Sequence, residues 1–150
     1  MSWLVFAVLV WIVLLFIVRF KELGRLWSAC FWSILVSYFL NQIFVNKGLY
    51  QFQETFYTIE GIPLFYLIAL GGMAIIIMRF LPEQKIWQLP YLILFSAGLT
   101  MLNFFTLSKK YILFLQWSPA DSFIITLIWL ITTVWLSNLT IKQQEKRYYF

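Results

Sequence analysis

GIPLFYLIALGGMAIIIM, residues 61–78, runs for eighteen positions without a charged side chain. Glu60 stands directly before it and Arg79 directly after it. A helix needs about 20 apolar residues to cross bilayer hydrocarbon, within a range of about 17–25. A helix that is apolar all round is buried in a core or in lipid. Four further runs decide between these. Residues 1–18 hold only Ser2 as a polar side chain, residues 26–45 follow a basic break, and residues 89–107 and 120–141 complete the set. Open strands would leave backbone groups unpaired in hydrocarbon. The expected fold is therefore all-α, a polytopic membrane helix bundle with five transmembrane helices. It forms a single integral membrane domain over residues 1–150.

Composition agrees with a lipid solvent. The chain is 63% hydrophobic and 11% charged, against about 25% charged in an ordinary soluble domain. Too few charges exist to cover a water-facing surface. Eight Trp and eight Tyr suit the headgroup level, where amphipathic rings collect. The net charge of +5 falls between the apolar runs and comes with no nucleic-acid motif, so nucleic acid is not an expected partner. Cys30 is the only cysteine, which excludes an internal disulfide framework. Histidine is absent, and with it the commonest general base and metal ligand. No catalytic, cofactor or metal residue is assigned, and the chain reads as non-enzymatic.

The charges give an orientation. Nothing basic precedes the first run, and Arg19, Lys21 and Arg25 follow it. That is the reverse of a cleaved signal peptide, so the run reads as a retained span with its N-terminus outside. The cytoplasmic segments then hold Arg19, Lys21, Arg25, Arg79, Lys85, Lys142, Lys146 and Arg147, against Lys47, Lys109 and Lys110 outside. The excess lies in the direction of the positive-inside rule, although the Lys109–Lys110 pair runs against it. The C-terminal KQQEKRYYF reads as a cytoplasmic tail whose basic residues meet anionic headgroups, worth about 1 kcal/mol each.

The connections carry local signals. In QWSPADSF, Ser118 suits an N-cap, Pro119 the first helical position and Asp121 the third. An acid there favours the positive end of the helix dipole. Glu60, ahead of Gly61 and Pro63, marks the entrance to the third span or stands on the rim of a site. Leu49, Phe52, Phe56 and Ile59 recur at helical spacing, with Gln51, Thr55 and Thr58 opposite. This predicts a short helix lying in the outer interface. Tyr50, Phe52 and Phe56 also fit a partial strand alternation.

No span carries a charge at its middle, which argues against an autonomous ion-coupled pump. Uncharged polar residues form stripes instead. Ser33, Ser37 and Asn41 are followed by Gln42 in the second run. Ser96, Thr100, Asn103 and Thr106 recur in the fourth, and Ser122, Thr126, Thr133 and Ser137 in the fifth. Residues at these spacings share a helix face and suit interhelical hydrogen bonds. Gly71, Gly72, Ala74 and Gly98 suit close helix approach. In the assigned orientation Asn41, Gln42, Glu60, Asn103, Thr106, Asp121, Ser122 and Thr126 lie at one level near the outer face. Their convergence would make a polar pocket opening outward, with Glu60 on its rim.

EGIPLFYLIALGGMAI, the following LPEQKIWQLPYLILF and the five-run layout resemble an uncharacterised family of small membrane proteins of spore-forming Gram-positive bacteria. The resemblance covers residues 61–141, with a looser match upstream. It implies a bacterial cytoplasmic membrane and no particular activity. The expected function is that of a binding or accessory subunit of a membrane complex, whose partners are the bilayer and other membrane subunits. The alternative is a transporter or channel component that takes a small solute in the polar pocket.

Overall fold

The structure, a computed structural model, describes residues 2–53, 57–108 and 112–148, with side chains for 3–53, 57–105, 108 and 112–142. Five helices dominate: α1 (Ser2–Ile17), α2 (Phe20–Asn46), α3 (Leu64–Arg79), α4 (Lys85–Ser108) and α5 (Pro119–Tyr148). Four short strands, β1 (Tyr50–Phe52), β2 (Thr58–Ile59), β3 (Ile62–Pro63) and β4 (Ile112–Phe114), lie between them. Three helices are long and apolar enough to cross a membrane: α2, residues Lys85–Phe105 of α4 and residues Pro119–Lys142 of α5. α1 and α3 have 16 residues each, or about 24 Å at 1.5 Å per residue, shorter than a hydrocarbon core of about 30 Å. The segment read as a C-terminal tail continues α5 as helix through Tyr148.

The helices pack in the series α1–α3–α2–α5–α4. Trp3 stacks edge-on against Tyr66 at one end, and Leu14 clusters with Ile75 at the other, so α1 and α3 run the same way. Leu26 joins the Leu14–Ile75 cluster, while Tyr38 and Val45 pack beside Ile62 and Leu67, so α2 runs against both. Trp32 Nε1 donates to Thr140 Oγ1 while Phe44, near the end of α2, packs against Trp117 just ahead of α5, so α5 runs antiparallel to α2. Leu92 clusters with Val134 while Ser96 bonds at Phe123, so α4 returns antiparallel to α5.

The joints of this series are built from its smallest residues. Gly71 faces α2, where a Cβ would come 2.7 Å from Cys30 Sγ and 3.1 Å from Ile34 Cδ1. Gly72 faces α1, where a Cβ would come 3.0 Å from Val10 Cγ1. Adjacent glycines, about 100° apart around the helix, thus open two sides of α3 to close packing. Gly98, expected to do the same in α4, has open space around its Cα and lies exposed. The polar stripes divide in a similar way. Ser33 Oγ donates to the Leu70 carbonyl at 2.9 Å, joining α2 to α3, and Ser96 Oγ donates to the Phe123 carbonyl at 3.0 Å, joining α4 to α5. Thr100 and Ser137 instead bond the carbonyls four residues back in their own helices.

The strands all lie at the end holding the starts of α1, α3 and α5. β1 and β4 pair antiparallel, with Tyr50 opposite Phe114, Gln51 opposite Leu113 and Phe52 opposite Ile112. Tyr50, Phe52 and Ile112 turn inward while Gln51 and Leu113 face out. This ribbon replaces the expected interfacial helix, whose residues 54–56 lie outside the described residues. The two-residue alternation wins because β4 supplies a ladder partner that the local sequence does not contain. β2 and β3 form a hairpin. Its two-residue turn, Glu60–Gly61, has φ of 49° and 83°, the type I′ geometry that matches strand twist.

The opposite end carries charge. Arg19, Lys21 and Arg25 lie at the start of α2, Arg79 ends α3, Lys85 begins α4 and Lys142 lies toward the end of α5. Arg79 Nε meets Glu22 Oε2 at 2.8 Å, pinning the end of α3 to the start of α2.

Candidate ligand-binding site

A cavity of about 410 Å³ sits beneath the β1–β4 ribbon, with walls from all five helices. Such a volume lies within the range of small-molecule sites, about 300–1,000 Å³. Its existence follows from the helix series. α1 and α4 stand at the two ends, so the inner faces of α2, α3 and α5 are left as a concave back wall. Ser37, Asn41, Leu70, Met73, Ser122 and Trp129 contribute to that wall. Val5, Phe6 and Leu9 of α1 face Leu99, Leu102, Asn103 and Phe105 of α4 across the space.

The ribbon makes the roof. Tyr50, Phe52, Ile112 and Phe114 reach over the cavity from β1 and β4. Their rings belong to an aromatic cluster: Tyr50 against Trp117 at 5.2 Å, Phe52 against Tyr66 at 5.1 Å and Trp3 against Tyr66 at 4.9 Å. Edge-on and tilted pairs at these separations add to the burial of ring area. A polar bond from β1 ties the roof to the back wall. Tyr50 OH donates to Asn41 Oδ1, while Asn41 Nδ2 donates to the Ser37 carbonyl at 2.7 Å. Burial pushes the Tyr50 phenol well above its usual range, so it stays a neutral donor. Trp117 Nε1 donates to Ser122 Oγ at 2.7 Å, tying the start of α5 to the same roof.

Four residues expected in a polar pocket, Asn41, Asn103, Ser122 and Thr126, line this cavity together. Gln42 and Glu60 do not. One residue along α2 turns a side chain by about 100°, which carries Gln42 off the face that Asn41 presents. Gln42 Nε2 and Tyr38 OH both donate to Glu60 Oε2 on the exposed side of the β2–β3 hairpin. Glu60 is thus the corner of a turn, held against α2. Asp121 is occupied in a reciprocal cap. Its Oδ2 accepts from Ser118 N at 2.9 Å and Ser118 Oγ at 2.6 Å, and its own N–H donates to Ser118 Oγ at 3.2 Å. It borders a separate shallow crevice beside Phe44 and Gln116. The Thr106 side chain lies outside the described residues.

The sequence reading missed the aromatic part of the site. Tyr50, Phe52, Tyr66, Trp117 and Trp129 line the cavity, whereas rings near span ends read as headgroup anchors. The inward alternation of Tyr50 and Phe52 around Gln51 was the available signal. Among the described residues no charged side chain lines the cavity, and no group of three His, Cys, Asp or Glu could hold a metal. Cys30 lies behind Gly71, buried away from the cavity. The wall presents neutral donors and acceptors set in apolar surface. Comparison with protein-family models, with curated proteins and with solved structures finds no match to this chain.

Proposed function

We propose that this chain is a non-enzymatic binding protein of the bacterial cytoplasmic membrane, taking a small, largely apolar molecule with a few hydrogen-bonding groups. The observation that carries this reading is the cavity of about 410 Å³ with Ser37, Asn41, Asn103, Ser122 and Thr126 set among aromatic and aliphatic side chains. Pockets of that composition hold a ligand by apolar burial and orient it by few polar contacts. The bacterial membrane follows from the family resemblance of residues 60–75 and 81–95.

All five helices span in this reading. Val5, Val8, Leu9, Ile12 and Phe16 leave one side of α1 exposed and apolar, a surface that lipid covers. α3 is preceded by the two extended residues of β3. At about 3.3 Å each they bring the crossing to roughly 31 Å with the helix rise. The ribbon end faces outward and the basic end faces the cytoplasm, as the positive-inside rule favours.

The test is native mass spectrometry of the intact protein released from lipid discs. A stoichiometric small-molecule adduct, lost in Asn41→Leu and in Asn103→Leu and kept in Glu60→Ala, is the expected result. A bare protein in every preparation would overturn ligand binding. A stoichiometric protein companion in place of the adduct would favour the role of accessory subunit.

A further inference from the structure

We propose that the cavity is entered sideways from the bilayer, between α1 and α4, and that its occupant is a neutral glycerolipid of the diacylglycerol type. The head lodges between Asn41 and Asn103, and the chains leave through the α1–α4 opening. This rests on the ligand-binding reading above.

The opening is read from residues that belong to the cavity wall and to the outer surface at once. Val5 and Leu9 of α1, each 55% exposed, and Leu102 and Phe105 of α4, 43% and 61% exposed, all line the cavity. α1 and α4 end the helix series, so among the described residues no further helix covers this seam. All four lip residues are apolar, as a passage for hydrocarbon requires and a passage for a hydrated solute does not. The aqueous end is roofed by the ribbon, which Tyr50 ties to Asn41.

Charge and volume select the head. Among the described residues the wall carries no charge, and an ionised phosphate enclosed there would lose its hydration without a counter-ion. Amide and hydroxyl groups suit the hydroxyl and ester carbonyls of an uncharged glycerol head. A space of about 410 Å³ lies at the lower end of small-molecule sites, about 300–1,000 Å³. That accommodates a glycerol with its two ester groups and leaves the chains outside, in the opening.

The experiment uses the full-length protein in phosphatidylcholine vesicles with a diacylglycerol carrying a diazirine near the carbonyl end of one chain. Cross-links mapped by mass spectrometry are expected at Val5, Leu9, Leu102 and Phe105. Unlabelled diacylglycerol should compete them away, and equal phosphatidylglycerol should not. Asn41→Leu should lower the competed signal about tenfold or more, since it removes a polar partner of the head and also the acceptor of the Tyr50 roof bond. Val5→Phe with Leu102→Phe should narrow the opening and lower it without touching Asn41, with unchanged thermal unfolding in detergent as the check on folding. Cross-links spread evenly onto the lipid-facing Phe31 and Trp135, or equal competition by phosphatidylglycerol, would overturn the proposal. A water-soluble adduct lost in Asn41→Leu, together with such even labelling, would overturn this inference and leave the ligand-binding reading standing.

Discussion

Gly71 and Gly98 show how one atom is worth different amounts in two helices. At Gly71 a methyl group would press on Cys30 Sγ at 2.7 Å and on Ile34 at 3.1 Å. The α2–α3 seam would have to widen, and overpacking of this kind costs about 1–3 kcal/mol. At Gly98 nothing lies within 4 Å, so alanine there gains helix propensity of up to about 1 kcal/mol. Gly71→Ala should therefore lower the thermal midpoint in detergent, and Gly98→Ala should leave it unchanged or raise it. Cys30→Ala removes the nearest obstacle and should return part of the Gly71→Ala loss. A Gly71→Ala protein as stable as the parent would mean that the helices are not seated at this distance. The same reasoning applies to Gly61, whose φ of 83° is a conformation that costs other residues about 1–2 kcal/mol. A Cβ there would meet Val45 at an ordinary 3.6 Å. The penalty of Gly61→Ala is thus one of backbone conformation, and Gly61→Asn, which tolerates that region, should lose less.

At the scale of elements, the ribbon and the stripes separate what local sequence encodes from what packing decides. The long helices were legible because an apolar run of span length has few other fates. The ribbon was not, because its strands are separated by α3 and α4 and neither shows its partner. Leu49, Phe52 and Ile59 satisfy a helical spacing, but Phe52 also sits opposite Ile112, and only the folded chain brings them together. For the site, the stripes on α2, α4 and α5 were legible and so was their common level. The turn of about 100° between Asn41 and Gln42 follows from sequence only once the inner face of α2 is known. Two predictions belong here. Tyr50→Phe leaves Asn41 Oδ1 buried without its ribbon donor, a loss of about 1–3 kcal/mol. It should free the roof, seen as faster amide hydrogen exchange at Leu115 and Gln116, whose N–H groups bond the Leu49 carbonyl at 3.0 Å. Unchanged exchange there would show that the ladder holds without the tyrosine. In the stripes, Ser33→Ala breaks a bond between helices, worth on the order of 0.6 kcal/mol in a membrane bundle. Ser137→Ala removes only a bond to the carbonyl of Thr133 in its own helix and should cost less. Equal losses at the two serines would mean that the α2–α3 bond adds nothing beyond packing.

The whole molecule is polar in the geometric sense, with a ribbon-roofed end and a basic end. Arg19, Lys21, Arg25, Arg79, Lys85 and Lys142 lie toward one end, and Lys47 is the only described Lys or Arg at the other. Each basic side chain near an anionic cytoplasmic surface contributes about 1 kcal/mol, so turning the bundle over would forfeit several such terms at once. The Arg79–Glu22 pair, with its arginine 42% exposed, adds little to that balance, as exposed ion pairs do. The five spans proposed above and this charge pattern together make a joint prediction. A membrane-impermeant maleimide applied to intact cells should label Gln51→Cys, on the outward face of β1. It should reach Gln84→Cys, between α3 and α4, only after permeabilisation, and Phe20→Cys, at the start of α2, should behave like Gln84→Cys. An epitope placed ahead of residue 1 should be accessible from outside. The single native cysteine, Cys30, is buried and contributes no background. Labelling of Gln84→Cys but not Gln51→Cys in intact cells would reverse the orientation while leaving bundle and cavity intact. An epitope accessible from the same side as Phe20→Cys would instead remove α1 from the set of spans. The consequence would reach the site itself, since Val5 and Leu9 form one lip of the opening. An α1 lying outside the hydrocarbon would give lipid no edge to enter by, so the span count and the route into the cavity stand or fall together.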